Sequence, residues 1–142
     1  MKILNYGSIN KDFVYTVEDF VKSGETIKTI GFKDFLGGKG LNQSIAVAKS
    51  GNKIFHAGCI NKNDIQIKNY LENWGVDTKN IFYDDKPTGH AIIQVNQKGE
   101  NSILVHGGAN RKITSKHIEK TISQFNSGDF LIIQNEINKV PE

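Results

Sequence analysis

The sequence predicts an α/β fold with a small second β layer inserted into it, and three observations carry that prediction. Two apolar extended runs, Lys2 to Tyr6 and Ile54 to Ile60, flank a stretch in which Leu41, Ile45 and Ala48 recur at helical spacing, which reads as a β-α-β unit. A further run, Phe130-Leu131-Ile132-Ile133, is continuously apolar, as in a parallel strand covered on both faces. Four other short stretches mix polar with apolar residues and read as an antiparallel layer of a different kind.

In chain order, the first strand ends at Gly7-Ser8, and Phe13 to Val17 and Thr26 to Phe35 follow as strands of the antiparallel layer. Ala46 and Val47 fill in the helical stretch after Leu41, so that helix is expected to be largely buried. Ile67, Leu71 and Trp74 share one face of a second helix, which Gly75 ends from the C′ position. A short strand is expected at Ile81 to Tyr83. Ala91 to Val95 and Ile103 to His106 flank Asn96-Gln97-Lys98-Gly99-Glu100, a hairpin connection with glycine placed for a left-handed residue. Ile118, Ile122 and Phe125 mark a last helix over Thr114 to Phe125, with Thr114 or Ser115 as its hydroxyl N-cap and Gly128 beyond it. No repeat or linker divides the chain, so one domain is expected.

Composition narrows the function classes. With 142 residues, 37% hydrophobic and 23% charged, and 2 prolines, the chain has the make-up of a soluble globular protein. The net charge of +3 comes from lysines scattered among acids, which argues against a nucleic-acid stripe or a membrane-surface helix. The amino terminus turns polar too early for a signal peptide and no stretch is long enough to span a bilayer, so a cytoplasmic location is expected. Cys59, the only cysteine, has no intrachain disulfide partner and sits in an apolar run as a buried thiol. His56, His90, His106 and His117 show no metal-ligand spacing, and no metal is assigned to the chain.

Chemistry concentrates in Gly37-Gly38-Lys39-Gly40-Leu41-Asn42-Gln43, where an extended segment hands over to the helix. Glycines permit close backbone approach, and the free N–H groups of a helix start favour oxygen-rich ligands. Two phosphate-binding patterns fail: Lys33 stands where a Walker loop needs its first glycine, and Gln43 where a dinucleotide fingerprint needs its third. On its own the loop reads equally as a tight turn. Asn10 and Asp12, two apart, point the same way from an extended segment, either as an Asx turn or as a pair that holds adjacent hydroxyls. Glu136 follows the apolar strand at the end where open α/β sheets bind ligands, and reads as a ligand contact or as an exposed loop acid.

Taken together, Gly7-Ser8-Ile9-Asn10-Lys11-Asp12, Gly24-Glu25-Thr26, the Gly37–Gln43 loop, Gly75-Val76-Asp77-Thr78, Thr88-Gly89-His90-Ala91, Gly99-Glu100-Asn101-Ser102 and Gly107-Gly108-Ala109-Asn110 resemble, in order, segments of the ribokinase family of carbohydrate kinases. The resemblance implies that residues 1–142 are the amino-terminal part of one domain, an incomplete three-layer α/β/α core. Its inserted antiparallel β lid would have strands near 13–17, 26–35, 91–95 and 103–106. It implies sugar contacts from Asn10, Asp12, Gly38, Lys39, Asn42 and Glu136, and an apolar lid surface at Ala91 and Ile93. It further implies transfer of the ATP γ-phosphoryl group to a pentose, foremost to the 5-hydroxyl of ribose, with Mg²⁺ on the ATP, a monovalent cation, and a homodimer formed through the lid.

Two departures accompany this resemblance. Asn61-Lys62-Asn63-Asp64 replaces the family's Gly-x-Asp-x, and the Gly-Ala-Gly-Asp segment that supplies the anion hole and base occurs nowhere in the 142 residues. The chain alone is therefore expected to hold no catalytic residue, to bind neither ATP nor its ions specifically, and to be inactive. A non-catalytic sugar-binding or dimerisation module, and a kinase of another sugar or of a nucleoside, are the alternatives.

Overall fold

The computed structural model describes residues 1–139. Its elements are β1 (Ile3–Tyr6), β2 (Asn10–Thr16), β3 (Gly31–Gly37), α1 (Lys39–Lys49), β4 (Ile54–Asn61), α2 (Ile65–Asn73), β5 (Val76–Asp84), β6 (Gly89–Val95), β7 (Asn101–His106), a 3-10 turn (Gly108–Arg111), α3 (Ser115–Ile122) and β8 (Phe130–Ile133). Among the described residues no helix is long and apolar enough to cross a membrane.

One sheet is parallel throughout, in the order β5-β4-β1-β8. β4 shows why it is a three-layer core. Its alternate residues Ile54 and Ile60 join Leu41 of α1 and Ile67 and Leu71 of α2 in one apolar cluster. Phe55, Ala57 and Cys59, on the other face, join Leu4, Tyr6 and Ile113, with Ile118 of α3 packed against them. Cys59 is buried, and burial pushes its thiol up to about 11, as suits an inert core thiol. At α2 the glycine stop is realised: Gly75 adopts φ +83°. Thr114 caps α3 through a capping box closed by His117.

The second sheet, β3-β2-β6-β7, corrects one expectation. Its outer pairs are antiparallel, but its central pair, β2 with β6, is parallel. The reason lies in the core: β2 continues from β1 and β6 from β5, and those two strands run in the same direction, so their continuations do too. The α/β class and the inserted layer stand as expected.

Other boundaries shift. β2 begins at Asn10, so Asn10 and Asp12 lie within the strand rather than before it. The expected strand over Thr26 to Phe35 is Gly31–Gly37, preceded by an irregular segment with Gly24 at φ +80°. The strand expected at Ile81 to Tyr83 extends over Val76–Asp84, with an irregularity in pairing opposite Phe55 and Ala57. α1 is less buried than its composition suggests: Gly40, Leu41 and Ser44 are buried, while Ala46 is exposed. Trp74 does not share the burial of Ile67 and Leu71; it lies half-open beneath the Lys49 ammonium, 4.1 Å from the ring centroid. β8 pairs only with β1 among the described residues, and its apolar side chains are largely exposed rather than covered on both faces.

Candidate functional site

The carboxyl ends of β1 and β8 meet the start of α1, and that junction collects the polar residues. Gly38 is the N-cap of α1 with φ 95°, a conformation that only glycine adopts without strain. A Cβ there would lie 3.0 Å from the Ser8 carbonyl oxygen and 3.1 Å from the Asn10 nitrogen, so the turn rests directly on the β1–β2 connection. The first-turn N–H groups of α1 are then taken up in sequence. Lys39 N–H donates to Glu136 Oε2 at 3.2 Å, Gly40 N–H to Ser8 Oγ at 3.3 Å, and Leu41 N–H to the Ser8 carbonyl at 2.9 Å.

Glu136 is the hub of this junction. It accepts a hydrogen bond from Ser8 Oγ at 2.7 Å and forms an ion pair with the Lys39 ammonium. Burial pushes its carboxyl upward, but the hydrogen bonds from Lys39 and Ser8 and the Lys39 charge outweigh that and hold it below the ordinary glutamate range. A negative group also suits the positive end of the α1 dipole.

Asp12 takes no part in these bonds. Its carboxylate packs against Gly37, where any side chain would overlap it. Partial burial, and then the nearby Glu136 charge, raise its pKa above the ordinary aspartate value. An unpaired carboxylate in that setting is what a ligand with hydroxyl donors would relieve.

Asn10 is buried and oriented by Asn110: Asn110 Nδ2 donates to Asn10 Oδ1 at 2.8 Å and to the Ile9 carbonyl at 3.0 Å, while Ile9 N–H donates to Asn110 Oδ1 at 3.0 Å. With its oxygen engaged, Asn10 has its NH₂ group left to donate. Asn42 lies one turn into α1, its N–H bonded to the Gly38 carbonyl at 3.0 Å and its side chain exposed. In the lid, Ala91 is in register with Asp12 and Ile93 with Val14, which places both on the Asp12 face of the sheet. The structure thus brings Asn10, Asp12, Gly38, Lys39 and Glu136 to one junction, with Asn42 at its rim and Ala91 beside it.

Ser8 and Asn110 hold the candidate residues in place, and residue-by-residue reading did not single them out. Asn110 acts 100 residues away from Asn10, and only the ordered family segment that contains it hinted at a role. The departing loop Asn61–Asp64 finds its own solution: Asp64, almost buried, accepts from Thr88 Oγ1 at 2.6 Å and pairs with the Lys11 ammonium. Burial raises the Asp64 pKa and those two partners more than reverse it. The loop therefore ties the entry of β6 to the base of β2. A cleft of about 450 Å³ between Glu18 and Lys28 contains none of the junction residues. Among the described residues no three or more His, Cys, Asp or Glu side chains converge as a metal site.

Comparison with known proteins agrees with this architecture. The pfkB family carbohydrate kinase model matches residues 1–141. A ribokinase from Haemophilus influenzae is 37% identical over 133 residues, covering 92% of this chain and 44% of the relative. A deoxyribokinase from Salmonella typhi is 32% identical over 143 residues, covering 96% and 46%. The crystal structure of ribokinase from Thermotoga maritima superposes with a TM-score of 0.84 at 37% identity, covering 96% of this chain and 46% of that one. The chain spans a little under half the length of the relatives it matches.

Proposed function

Because the chain belongs to the pfkB family of carbohydrate kinases, we propose that its junction binds the sugar substrate of an ATP-dependent kinase, with ribose as the sugar and its 5-hydroxyl as the phosphoryl acceptor. The observation that carries this reading is the complementary pair on β2: Asp12, an unpaired carboxylate that accepts, beside Asn10, whose amide is turned by Asn110 to donate. Neighbouring hydroxyls of a furanose can satisfy both. Gly38 keeps the turn close against the β1–β2 connection, the exposed Asn42 side chain at the rim of α1 would turn to the sugar, and the Lys39–Glu136 pair closes the side toward β8. Ala91 and Ile93 supply an apolar surface on the Asp12 face.

In this reading residues 1–139 bind and orient the sugar, which is the acceptor-positioning part of what a phosphoryl-transfer enzyme must do. The proton acceptor, ATP with its Mg²⁺, and the monovalent cation belong to the part of the family fold that this chain does not span. When bound, Mg²⁺ would neutralise charge developing on the phosphates. The 142-residue chain by itself is expected to form no ribose 5-phosphate. The enzyme is read as cytoplasmic and as a homodimer that pairs lid to lid.

Titration calorimetry with ribose tests the site. The chain should bind ribose, and Asp12→Ala should weaken binding by roughly 1.5–3 kcal/mol, the value of a hydrogen bond to a charged group. Unchanged ribose affinity in that variant would overturn the assignment. The deoxyribokinase relative makes 2-deoxyribose the competitor to include, since tighter binding of it would move the substrate within the same pentose class.

A further inference from the structure

A second set of polar residues lies beneath the junction, in the layer between α1 and the parallel sheet. Asn5 of β1 and His56 of β4 are register partners, and both are fully buried with Ser44 of α1. The Asn5 amide nitrogen donates to the Gly40 carbonyl at 2.8 Å and to Ser44 Oγ at 3.0 Å. Both of its hydrogens are thus spent. Ser44 Oγ, having accepted from Asn5, lies 2.7 Å from His56 Nδ1; the ring's hydrogen bond to the Gly7 backbone assigns its proton to Nε2, and in that tautomer Ser44 donates its hydroxyl hydrogen to Nδ1. Behind Asn5, Gln134 Nε2 donates to Asn5 Oδ1 at 2.7 Å and also to Gln43 Oε1. The chain of donors therefore runs one way, from Gln134 through Asn5 to Ser44 and His56, with a branch to Gly40.

Three features set this chain apart from incidental core polarity. The positions share their face of the sheet with Ile54 and Ile60, which pack on Leu41 of α1, so apolar side chains would satisfy the layer at lower desolvation cost. Gln134 Oε1 is left without a hydrogen-bond partner and the second ring nitrogen of His56 has only the Gly7 backbone to turn to, a cost retained in an otherwise apolar layer. The branch also ends on a backbone atom of the sugar loop itself.

Resting on the sugar-site reading above, we propose that Asn5, with Ser44, His56 and Gln134 behind it, positions the Gly38–Gly40 turn for the sugar. Asn5 holds the Gly40 carbonyl from below while Ser8 holds the Gly40 and Leu41 N–H groups from the side. The turn is fixed from two directions before ligand arrives, so less ordering remains to be done on binding. These are positioning residues, since none faces the junction.

Amide hydrogen exchange on the full chain, read residue by residue by NMR, separates this role from a general contribution to stability. In Asn5→Leu, exchange at Leu41 and Asn42 should rise about tenfold or more relative to the β4 amides, as expected for the local loss of one or two hydrogen bonds. Uniform acceleration across β4 and α1, or none, would overturn the positioning role. If Asn5→Leu fails to fold, Ser44→Ala together with His56→Phe removes the far end of the chain, and the same local rise is expected. His56→Gln alone, which keeps Ser44 and an acceptor for it, should leave exchange slow; a rise equal to that of the double variant would count against the directed chain. Ribose affinity is read in parallel. Local loosening with affinity about tenfold weaker supports both readings. Local loosening with unchanged affinity supports the positioning chain and overturns the loop as a sugar contact.

Discussion

His56 has the most perturbed histidine environment in the molecule, and its protonation has a definite sign. Burial lowers its pKa to about 4, with the Gly7 backbone offsetting part of the effect. The unfolded chain takes up a proton on this residue as pH falls through about 6.5, whereas the folded chain waits until about 4. Its contribution to stability is thus complete above the upper value and is lost progressively down to the lower one. Between pH 7 and pH 5 the loss from this group should be about 2 kcal/mol. His117, lowered by partial burial and then by Lys120, changes stability in the same direction. The lowered Asp64, Glu136 and Asp129 add losses only at more acid pH. Urea denaturation of wild type and His56→Gln at both pH values isolates the ring: the wild type should lose about 2 kcal/mol more than the variant. Equal losses would mean that the ring titrates normally. Strand parity made Asn10 and Asp12 legible in sequence as a pair sharing a face. The Asn110 clamp and the Asn5–His56 partnership were not legible, because both depend on which strands adjoin and in what register.

At the scale of elements, the start of α1 is where local chemistry and tertiary structure agree most closely. The glycine loop was recognisable as a helix start, and the structure adds the reason for Gly38 in particular: a left-handed φ together with the Ser8 carbonyl 3.0 Å from where a Cβ would stand. Gly51 shares the left-handed φ, at 83°, but has open space around it. Gly38→Ala should therefore cost about 1–3 kcal/mol and Gly51→Ala only about 1 kcal/mol, since the second carries backbone strain without a collision. Chemical denaturation of the two variants checks this, and equal costs would show that the turn can move away from Ser8. Helix ends and the core strands were legible because caps, glycines and apolar runs are local signals. The start of β3 and the parallel pairing of β2 with β6 were not. The first depends on where β2 offers partners, and the second on the direction of strands that lie elsewhere in the sequence.

For the whole molecule, the α/β core with its second sheet was readable from the order of apolar runs and its three layers through the family resemblance, but the exposure of β8 was not. A continuous apolar run says that a strand belongs in an interior and says nothing about whether the covering elements are present in the chain. Phe130, Leu131 and Ile133 are 57%, 51% and 48% exposed, on a strand with a single neighbour among the described residues. In the second sheet, Ile103, Leu104 and Val105 of β7 are 50%, 64% and 69% exposed, again on an edge. Exposed apolar edge strands recruit further strands or apolar faces, so the 142-residue chain should be dimeric or larger at micromolar concentration. Sedimentation velocity resolves which edge dominates. Leu104→Lys should return the chain toward a monomer if the lid drives assembly, and Leu131→Lys should do so if β8 does, because a charge on an edge strand opposes pairing. Lid-to-lid assembly predicts the first result with little effect of the second. A wild-type chain that sediments as a stable monomer would show that neither edge is sticky enough to matter and would remove the lid-paired homodimer from the proposed function.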